Sequence, residues 1–467
     1  MEDKPRGLTA HTLARVLNLD RAELPAALWS WLYFFCILSG YYILRPLRDE
    51  MGLAGGIRNI PWLWTGTLTV MLVAHPLFTK LVAKLPRAIF IGFIYRFFAV
   101  NLLAFFVLLT LSRGAANIWI GRIFYVWTSV FNLFVVSVFW ALMVDSFRSD
   151  EGKRVFGFIA LGGTLGAVVG AGTTALLATV LGPVNLILIA IVMVEAAVHC
   201  AKAVIRRQPG RSTAGTATDQ DKHDVSVPAS RDSDQPKKPD GEHPIGGSIW
   251  AGLQHTLRSR YLMGIMLFIL LFTVTSSLVY FQQAEIIAAE LSDRARRTAM
   301  FATIDLAVNL VTMATQLFLT SRALRRLGVA VTLAILPAVS LGGFLLLGLS
   351  QTLPFLIGFQ VLRRSSNYAL SRPAREILFT VLKREDKYKA KNLIDTLVYR
   401  TGDQIGAWFY AVMILVGFTL AGISFVAVAL CVGWLALALW LGGKQRVLGQ
   451  PGTRGAYRGY RTRALNG

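Results

Sequence analysis

The feature that most constrains this chain is a series of long apolar segments, separated by short polar ones. Crossing the hydrocarbon core of a bilayer takes about 20 apolar residues in a helix, because lipid offers backbone groups no other partner. Twelve candidate spans follow this pattern. They begin near Ala26, Pro61, Ala88, Ala116, Val155, Pro183, Tyr261, Ala299, Val329, Pro354, Leu393 and Ala421. The sequence therefore predicts an all-α polytopic membrane protein with twelve transmembrane helices in two six-helix halves.

Composition supports a bilayer, rather than water alone, as the solvent of this chain. Of its 467 residues, 54% are hydrophobic and 16% are charged, whereas soluble domains are about 25% charged. So few charges could not cover the roughly three domains that a soluble chain of this length would form. The three cysteines lie in apolar runs, which predicts neither a disulfide framework nor a metal site. No catalytic or cofactor-binding pattern is present, so we do not expect an enzyme.

The net charge of +22 follows the alternation of the loops. Lysine and arginine collect at 80–87, 148–154, 322–326 and 383–391, and again in the tail. The positive-inside rule places these segments and both termini in the cytoplasm. Because the basic residues follow topology and lack interleaved exposed aromatic residues, nucleic-acid binding is not expected.

Composition also predicts the domain boundaries. Residues 1–25 form a cytoplasmic segment that lacks the features of a signal peptide. Residues 206–247 are rich in Pro, Gly, Ser, Asp and Lys and predict a disordered cytoplasmic linker. The two six-helix halves occupy 26–205 and 248–443, and a basic cytoplasmic tail covers 444–467. Two such halves joined by a long loop are typical of the major facilitator architecture.

A glycine pattern relates the two halves. Gly162-x-x-x-Gly166-Ala167 recurs 240 residues later as Gly402-x-x-x-Gly406-Ala407. Spacing by four residues places small residues on one helix face, where they allow close helix packing. A phosphate-binding loop would need a preceding strand, which a bilayer span does not provide.

Charged residues near the outer end of the first span form a first candidate site. An ionisable group at membrane depth usually faces a water-filled cavity or a partner. Arg45 and Arg48 share a helix face, and Asp49 follows directly. The cluster is either an anion clamp with Asp49 as the partner of the arginines or a solvated helix end.

The tenth predicted span carries the second cluster. Its polar residues are Arg363, Arg364, Asn367, Tyr368, Arg372, Arg375 and Glu376. Four basic residues in one span exceed what snorkelling explains, and we favour a cavity role. Pro373 should interrupt the helical hydrogen bonds near Arg372 and open a kink. Glu376 is expected to neutralise Arg375 or Arg372.

Other ionisable residues in the spans complete the candidates. Tyr399, Arg400 and Asp403 lie in the eleventh span, with Tyr399 and Asp403 on one face. Arg122 either pairs with backbone carbonyls or reaches a cavity. Glu195, on a stripe with His199 and Lys202, and Asp305, which stands alone in the eighth span, are candidates for coupling transport to protons.

Two motifs resemble those of a known family. Arg45-Pro-Leu-Arg48-Asp49 resembles the Arg-x-x-Lys-Asp signature in the first span of the ATP/ADP translocases of plastids and intracellular bacteria. Pro373-x-Arg375-Glu376, followed by a Lys-rich loop that ends in Ile394-Asp395, is similar to the Pro-x-Lys-Glu motif and loop of that family. The chain departs from the family at Arg48, where the family has lysine, and near Tyr125, where it has an acid.

The resemblance implies a major-facilitator-like transporter that moves an anionic small molecule, with ATP and ADP as the leading substrates. Arg48, Arg372 and Arg375 would then line a central cavity between the halves, and tyrosines such as Tyr368 and Tyr399 would stack on a base. The partners expected are the lipid bilayer and the substrate, with a monomer as the working unit. Two alternatives stay open: a proton-coupled facilitator of a non-nucleotide solute, and a membrane scaffold that transports nothing.

The charge pattern generates a prediction about topology. Reporter fusions at residues 225 and 460 should both give cytoplasmic signals, because the basic loops on the same side as the linker and tail favour the inside. A paired set of fusions that are active in the cytoplasm or in the periplasm measures this. A periplasmic signal at either position would contradict the twelve-span arrangement.

Overall fold

The computed structural model describes residues 24–84, 87–147, 149–207, 259–382, 391 and 394–449, which are almost entirely helical and contain no strand. The predicted N-terminal segment except its last residues, nearly all of the linker, most of the loop 383–391 and the tail beyond 449 lie outside these residues. The prediction of an all-α fold is confirmed.

Helices follow one another with short connections. The first group is α1 (Leu24–Ala54), α2 (Ile60–Lys84), α3 (Arg87–Leu111), α4 (Gly114–Ser146), α5 (Ser149–Leu181) and α6 (Leu186–Arg206). The second group is α7 (Arg260–Glu290), α8 (Arg294–Phe318), α9 (Thr320–Arg326), α10 (Gly328–Leu349), α11 (Leu353–Ser366), α12 (Arg372–Leu378), α13 (Tyr399–Leu415) and α14 (Leu420–Gly449). Two π-helical turns, Asn367–Ser371 and Ile394–Val398, precede α12 and α13.

Nine of the described helices are long and apolar enough to cross a membrane: α1, α3, α4, α5, α6, α7, α8, α10 and α14. The other three predicted spans coincide with α2, with α11 and α12 around their π turn, and with α13 and its π turn. Over their described residues, these segments are not both long and apolar enough to meet the same criterion. The predicted starts lie within about six residues of the observed ones. The number of twelve spans therefore stays a prediction.

Local chemistry explains where several helices begin and turn. The Asp293 carboxylate accepts a hydrogen bond of 2.8 Å from the Arg296 backbone N–H and caps α8. Ser259 caps α7 in the same way, through the N–H of Leu262. Gly56 has a φ of +92° between α1 and α2, a conformation that side-chain-bearing residues rarely adopt.

Short connections make successive long helices run in alternating directions. We call the end of the bundle at which α1 begins, α6 ends and α7 begins the linker end. The opposite end, where α1 turns into α2 and α7 into α8, is the far end. Apolar side chains of the first group pack into one cluster, and those of the second group pack into another that also takes in Leu53 and Ile60.

The glycine pattern serves close helix packing, as predicted. A Cβ atom built on Gly162 would lie 2.5 Å from the carbonyl oxygen of Trp31, and one on Gly166 would lie 2.3 Å from that of Phe35. Helix α5 therefore touches the backbone of α1. In the second group, Gly402 and Gly406 pack closely against the side chains of Thr273 and Ser277 of α7.

The kink predicted at Pro373 is present as a change of helix type. Helix α11 ends at Ser366, a π turn covers Asn367–Ser371, and α12 restarts with Pro373 in its first turn. Proline lacks the N–H that an α-helical hydrogen bond needs, so the chain bonds around it in wider turns.

The α1–α5 contact predicts a contrast between two glycines of α5. Gly166→Ala should lower the melting temperature clearly, because forcing a methyl group into a packed contact costs about 1–3 kcal/mol. Gly157→Ala is the matched control, since its Cβ would meet nothing within 4 Å. Thermal unfolding of both variants in detergent, followed by size exclusion, measures the difference. Equal melting temperatures would show that the contact can relax.

Candidate functional site

A cavity of about 160 Å³ lies between the two helix groups, where α1, α7, α8 and α11 meet. Five charged side chains line it: Arg45, Asp49, Asp305, Arg363 and Arg364. Uncharged polar groups complete the lining: Ser276, Tyr280, Gln283, Gln360, Asn367, Tyr368 and Tyr399. We call this the central cavity.

Asp305 joins three helices in this cavity. Its Oδ1 lies 2.7 Å from Nη1 of Arg364 on α11 and 3.4 Å from Nη1 of Arg45 on α1. The aspartate side chain is only 4% exposed. Asp305 therefore does not stand alone, as its isolated position in the sequence suggested, and its ion pair with Arg45 connects the two groups.

Arg363 is a buried cation without a carboxylate partner among the described residues. Its Nε donates to the hydroxyl of Ser340, and its Nη2 donates to those of Thr275 (3.1 Å) and Ser276 (2.9 Å). The guanidinium also lies over the ring of Phe272. The described part of the chain gives Nη1 no hydrogen-bond acceptor, so its two N–H groups remain for a ligand.

Arg48 and Asp49 form the pair expected from the sequence. The Arg48 guanidinium donates to Asp49 Oδ1 at 2.6 Å and lies over the ring of Tyr125, 5.1 Å from its centroid. A row of hydrogen bonds extends from Asp49: the Tyr280 hydroxyl donates to it, the Tyr125 hydroxyl bonds to Tyr280, and the indole of Trp64 donates to Tyr125. Tyr125 thus holds Arg48 by its π face and links α4 to α7.

The charges of the central cavity do not balance. Arg45, Arg363 and Arg364 line it together with Asp49 and Asp305, and Arg48 pairs with Asp49 from outside the lining, so the cluster has an excess of two positive charges. Excess charge in a partly desolvated site is costly unless a counterion is present. The cavity can therefore bind an anion, and the planar guanidinium groups suit carboxylate or phosphate oxygens.

Another buried carboxylate directly follows Asp49 on α1. Glu50 on α1 is fully buried, and Arg294 and Arg297 at the start of α8 both donate to it, at 3.1 and 2.9 Å. Glu50 was not singled out from the sequence, because its two partners lie on another helix far along the chain. It connects the two groups at the far end.

Aromatic and polar contacts also join the groups at the far end. The Thr65 hydroxyl of α2 bonds to Gln404 of α13, and the indole of Trp408 donates to Thr65. The rings of Trp62 and Trp408 pack edge to face, 4.7 Å apart. Together with Glu50 and the row of tyrosines, these contacts close the bundle at this end.

Several predicted site residues lie outside the central cavity. Arg122 donates to the Gly55 carbonyl at 2.9 Å and stacks over Trp119, so it holds the turn between α1 and α2 at the far end. Arg400 is exposed, and Asp403 is half-buried one turn further along α13, but neither lines the cavity. The sequence brought these residues to attention by charge alone, which does not fix their direction.

The linker-end part of the second cluster also differs from expectation. Arg372 is exposed and lies over the ring of Tyr368, while Arg375 is buried and is not among the cavity-lining residues. Glu376 pairs with Lys391, rather than with Arg372 or Arg375 as expected. In this cluster, Arg363 and Arg364 are the arginines that reach the cavity.

The Glu195 stripe lies on the outer side of the first group. Glu195 pairs with Arg96 of α3 at 3.1 Å, and His199 lies 4.0 Å from the same carboxylate. The Arg96 side chain is 53% exposed, and none of these residues lines the central cavity. The described residues contain no group of three or more His, Cys, Asp or Glu able to hold a metal ion.

Solved structures with the same fold are membrane transporters by their descriptions. A bacterial homologue of the iron transporter ferroportin, in its inward-facing state, matches with a TM-score of 0.58 and 12% identity, covering 90% of this chain and 99% of that one. The POT family transporter PepTSo matches with a TM-score of 0.56 and 12% identity, covering 90% and 98%. An auto-inhibited POT family peptide transporter matches with 0.56 and 14%, covering 90% and 96%.

These likenesses show that the chain has a major-facilitator-type fold. No protein-family model and no curated protein matches the sequence. The resemblance to ATP/ADP translocases is therefore not confirmed at the level of family, and it stays a prediction.

The Asp305 contacts predict a rescue between two variants. Asp305→Asn should lower the melting temperature, because Arg45 and Arg364 lose their carboxylate. We expect less than the roughly 3–5 kcal/mol of a fully buried pair, since cavity water reaches both arginines. Adding Arg364→Gln should recover part of the loss, and Glu290→Gln, at an exposed position, is the control. A double variant less stable than Asp305→Asn alone would contradict the pairing.

Proposed function

We propose that this chain is a membrane transporter that moves an anionic small molecule by alternating access, with ATP and ADP as the leading candidates. The observation that carries the proposal is the central cavity, which three arginines and two aspartates line and in which Arg363 has N–H groups left for a ligand. The fold supports transport as the activity, because proteins built this way bind substrates between their two halves.

The far-end contacts indicate which state this is. Glu50, the tyrosine row and the Thr65 contacts hold the groups together beyond the cavity. Substrate would then enter the cavity from the linker end, which the positive-inside rule places in the cytoplasm. In the opposite state these contacts separate, and the groups close at the linker end.

The cavity chemistry favours a substrate with a phosphate or carboxylate head. Pockets for drug-sized ligands measure about 300–1,000 Å³, so the 160 Å³ space fits the head rather than a whole nucleotide. The remainder would extend toward the linker end, past Tyr368 and Tyr399. Their rings offer stacking surfaces for a base, and Gln360 and Asn367 offer hydrogen bonds.

The mechanism follows from competition for the arginines. Without substrate, Asp305 compensates Arg45 and Arg364, and Asp49 compensates Arg48. An anionic head competes for these guanidinium groups and also binds Arg363. The ion pair between Arg45 and Asp305 joins α1 to α8, so its replacement by substrate contacts frees the groups to move apart at this level.

The proposal also covers the oligomeric state, the membrane and the domain boundaries. The protein would act as a monomer in the bacterial inner membrane, with both termini and the linker in the cytoplasm. The proposed boundaries of the two halves stay 26–205 and 248–443. Arg372 and Arg375 would support Tyr368 and α12 rather than contact the substrate head.

The proposal is tested by uptake into proteoliposomes and by ligand-dependent melting. Arg363→Gln and Arg364→Gln should each reduce kcat/KM for the transported anion by about tenfold to a hundredfold, because hydrogen bonds to charged groups contribute about 1.5–3 kcal/mol. Arg48→Lys should keep partial activity. Arg322→Gln, on the exposed face of α9, is the control.

Melting identifies the ligand independently of transport. A ligand at 100 times its Kd stabilises the folded state by about 2.7 kcal/mol, so nucleotides, phosphorylated metabolites and carboxylates can be ranked. Wild-type uptake in both Gln variants would show that the arginines are structural. Transport of only neutral or cationic solutes, or transport that stops without a proton gradient, would favour the proton-coupled alternative.

A further inference from the structure

A second and larger cavity, of about 420 Å³, lies at the far end. It is bounded by the end of α1, the turn between α3 and α4, and the start of α8. Its polar lining includes Ser112, Arg113, Asn117 and Arg294, and Met51 and Ile118 supply apolar walls. We call it the outer cavity. The contacts that close the far end separate it from the central cavity.

Arg294 faces both the outer cavity and the buried Glu50. Its Nε and Nη2 donate to the Glu50 carboxylate, and its Nη1 donates to the side-chain oxygen of Asn117 at 3.0 Å. A guanidinium has five N–H groups, so one on Nη1 and one on Nη2 remain. The Arg294 side chain is 42% exposed, which leaves these donors accessible from the cavity.

Glu50 does not need both of its arginines. Arg297 donates to it at 2.9 Å and also bonds to the carbonyls of Leu291 and Ser292 at the end of α7, which fixes its position. One cation is enough to compensate one carboxylate. Arg294 and Arg297 pair with Glu50, and Arg113 lines the outer cavity beside Arg294, so these three arginines and one acid carry an excess of two positive charges.

We propose that the outer cavity is a docking site for the anionic head of the substrate, a phosphate or a carboxylate, on its way to or from the central cavity. This inference rests on the proposed function. The anion binds the free N–H groups of Arg294 together with the exposed Arg113, and competes with Glu50 for Arg294. Arg297 keeps Glu50 compensated while this happens.

The outer cavity lies beside contacts that hold the far end of the bundle closed. The pair between Glu50 and Arg294 joins α1 to α8 and lies on the wall of the outer cavity. An anion that draws Arg294 away weakens one of the contacts that hold the far end shut. Arrival of substrate on this side thus favours opening on this side, and an empty site leaves the closure intact.

The charge of the cavity is tested with a single cysteine and two reagents of opposite charge. The native cysteines are buried, so Ile118→Cys introduces an accessible thiol on the cavity wall. At each introduced cysteine we compare the reaction rates of a sulfonate methanethiosulfonate and of its trimethylammonium analogue. The ratio of the sulfonate rate to the trimethylammonium rate should be about fivefold to tenfold higher at Ile118→Cys than at Gln351→Cys, an exposed far-end position. Adding Arg113→Gln should reduce this ratio, and 5 mM ADP or inorganic phosphate should slow the sulfonate reaction.

The transport role is tested by sidedness. In right-side-out and inside-out vesicles, Arg113→Gln should raise KM about tenfold for uptake from the far-end side and leave it unchanged from the linker-end side. Arg364→Gln, in the central cavity, should impair both directions. Arg113 is exposed, so its variant should fold even if Arg294→Gln does not.

The outcomes separate the two proposals. Equal reagent ratios at the two cysteines, or an unchanged far-side KM in Arg113→Gln while Arg364→Gln still loses transport, would overturn the docking site alone. Absence of any transported anion, with Arg364→Gln indistinguishable from wild type, would overturn the proposed function. A side-specific change in KM together with ligand protection supports the docking site.

Discussion

The arrangement of the two helix groups depends on two carboxylates that are removed from water on facing helices. Glu50 of α1 and Asp305 of α8 are both almost fully buried, and each holds two arginines. A buried carboxylate without a cation is strongly destabilising. Glu50 receives both of its arginines from the opposite group, so its charge is compensated only while the groups touch at the far end. Asp305 has one arginine from each group and keeps Arg364 when the groups part. Closure at the far end and neutralisation of Glu50 are therefore one event.

Within each group, the helices are held together by a different interaction. Glycines on α5 let the backbone of that helix touch that of α1, and glycines on α13 let that helix pack closely on side chains of α7; such contacts tolerate little displacement. The contacts between α1 and α8 are instead made through long side chains whose charges can find other partners. Relative motion is thus easier between the groups than within them, which is the division that alternating access requires.

Hydropathy and short spacings allowed much of the fold to be predicted, because both are local properties. The starts of the helices and the packing role of Gly166 needed no knowledge of distant residues. Ion pairs between helices do not have this property. Asp305 looked isolated because its partners lie on α1 and α11, and Glu50 was not singled out because both of its partners lie on α8, far along the chain.

The candidate site shows a second limit of reasoning from spacing. Arg363 and Arg372 were assigned to one span with a kink near Arg372, but the π turn at 367–371 adds a residue between them and changes the direction of the side chains that follow. Arg372 therefore leaves the cavity while Arg363 and Arg364 stay in it. Only the proline gave a sign of this, and proline indicates an interruption without giving its form.

The π turns have a mechanical consequence of their own. The π turns Asn367–Ser371 and Ile394–Val398 directly precede α12 and α13, at the linker side of the central cavity. Each contains one residue more than an α-helical segment of the same length. Converting either π turn into α-helix would rotate the helical segment on its linker side by about 100° and shift that segment by about 1.5 Å along the helix axis. Tyr368 lies within one of these turns and Tyr399 directly follows the other, and both line the central cavity. The shape of the cavity can therefore change by rotation of these two short segments while the axes of the long helices stay still.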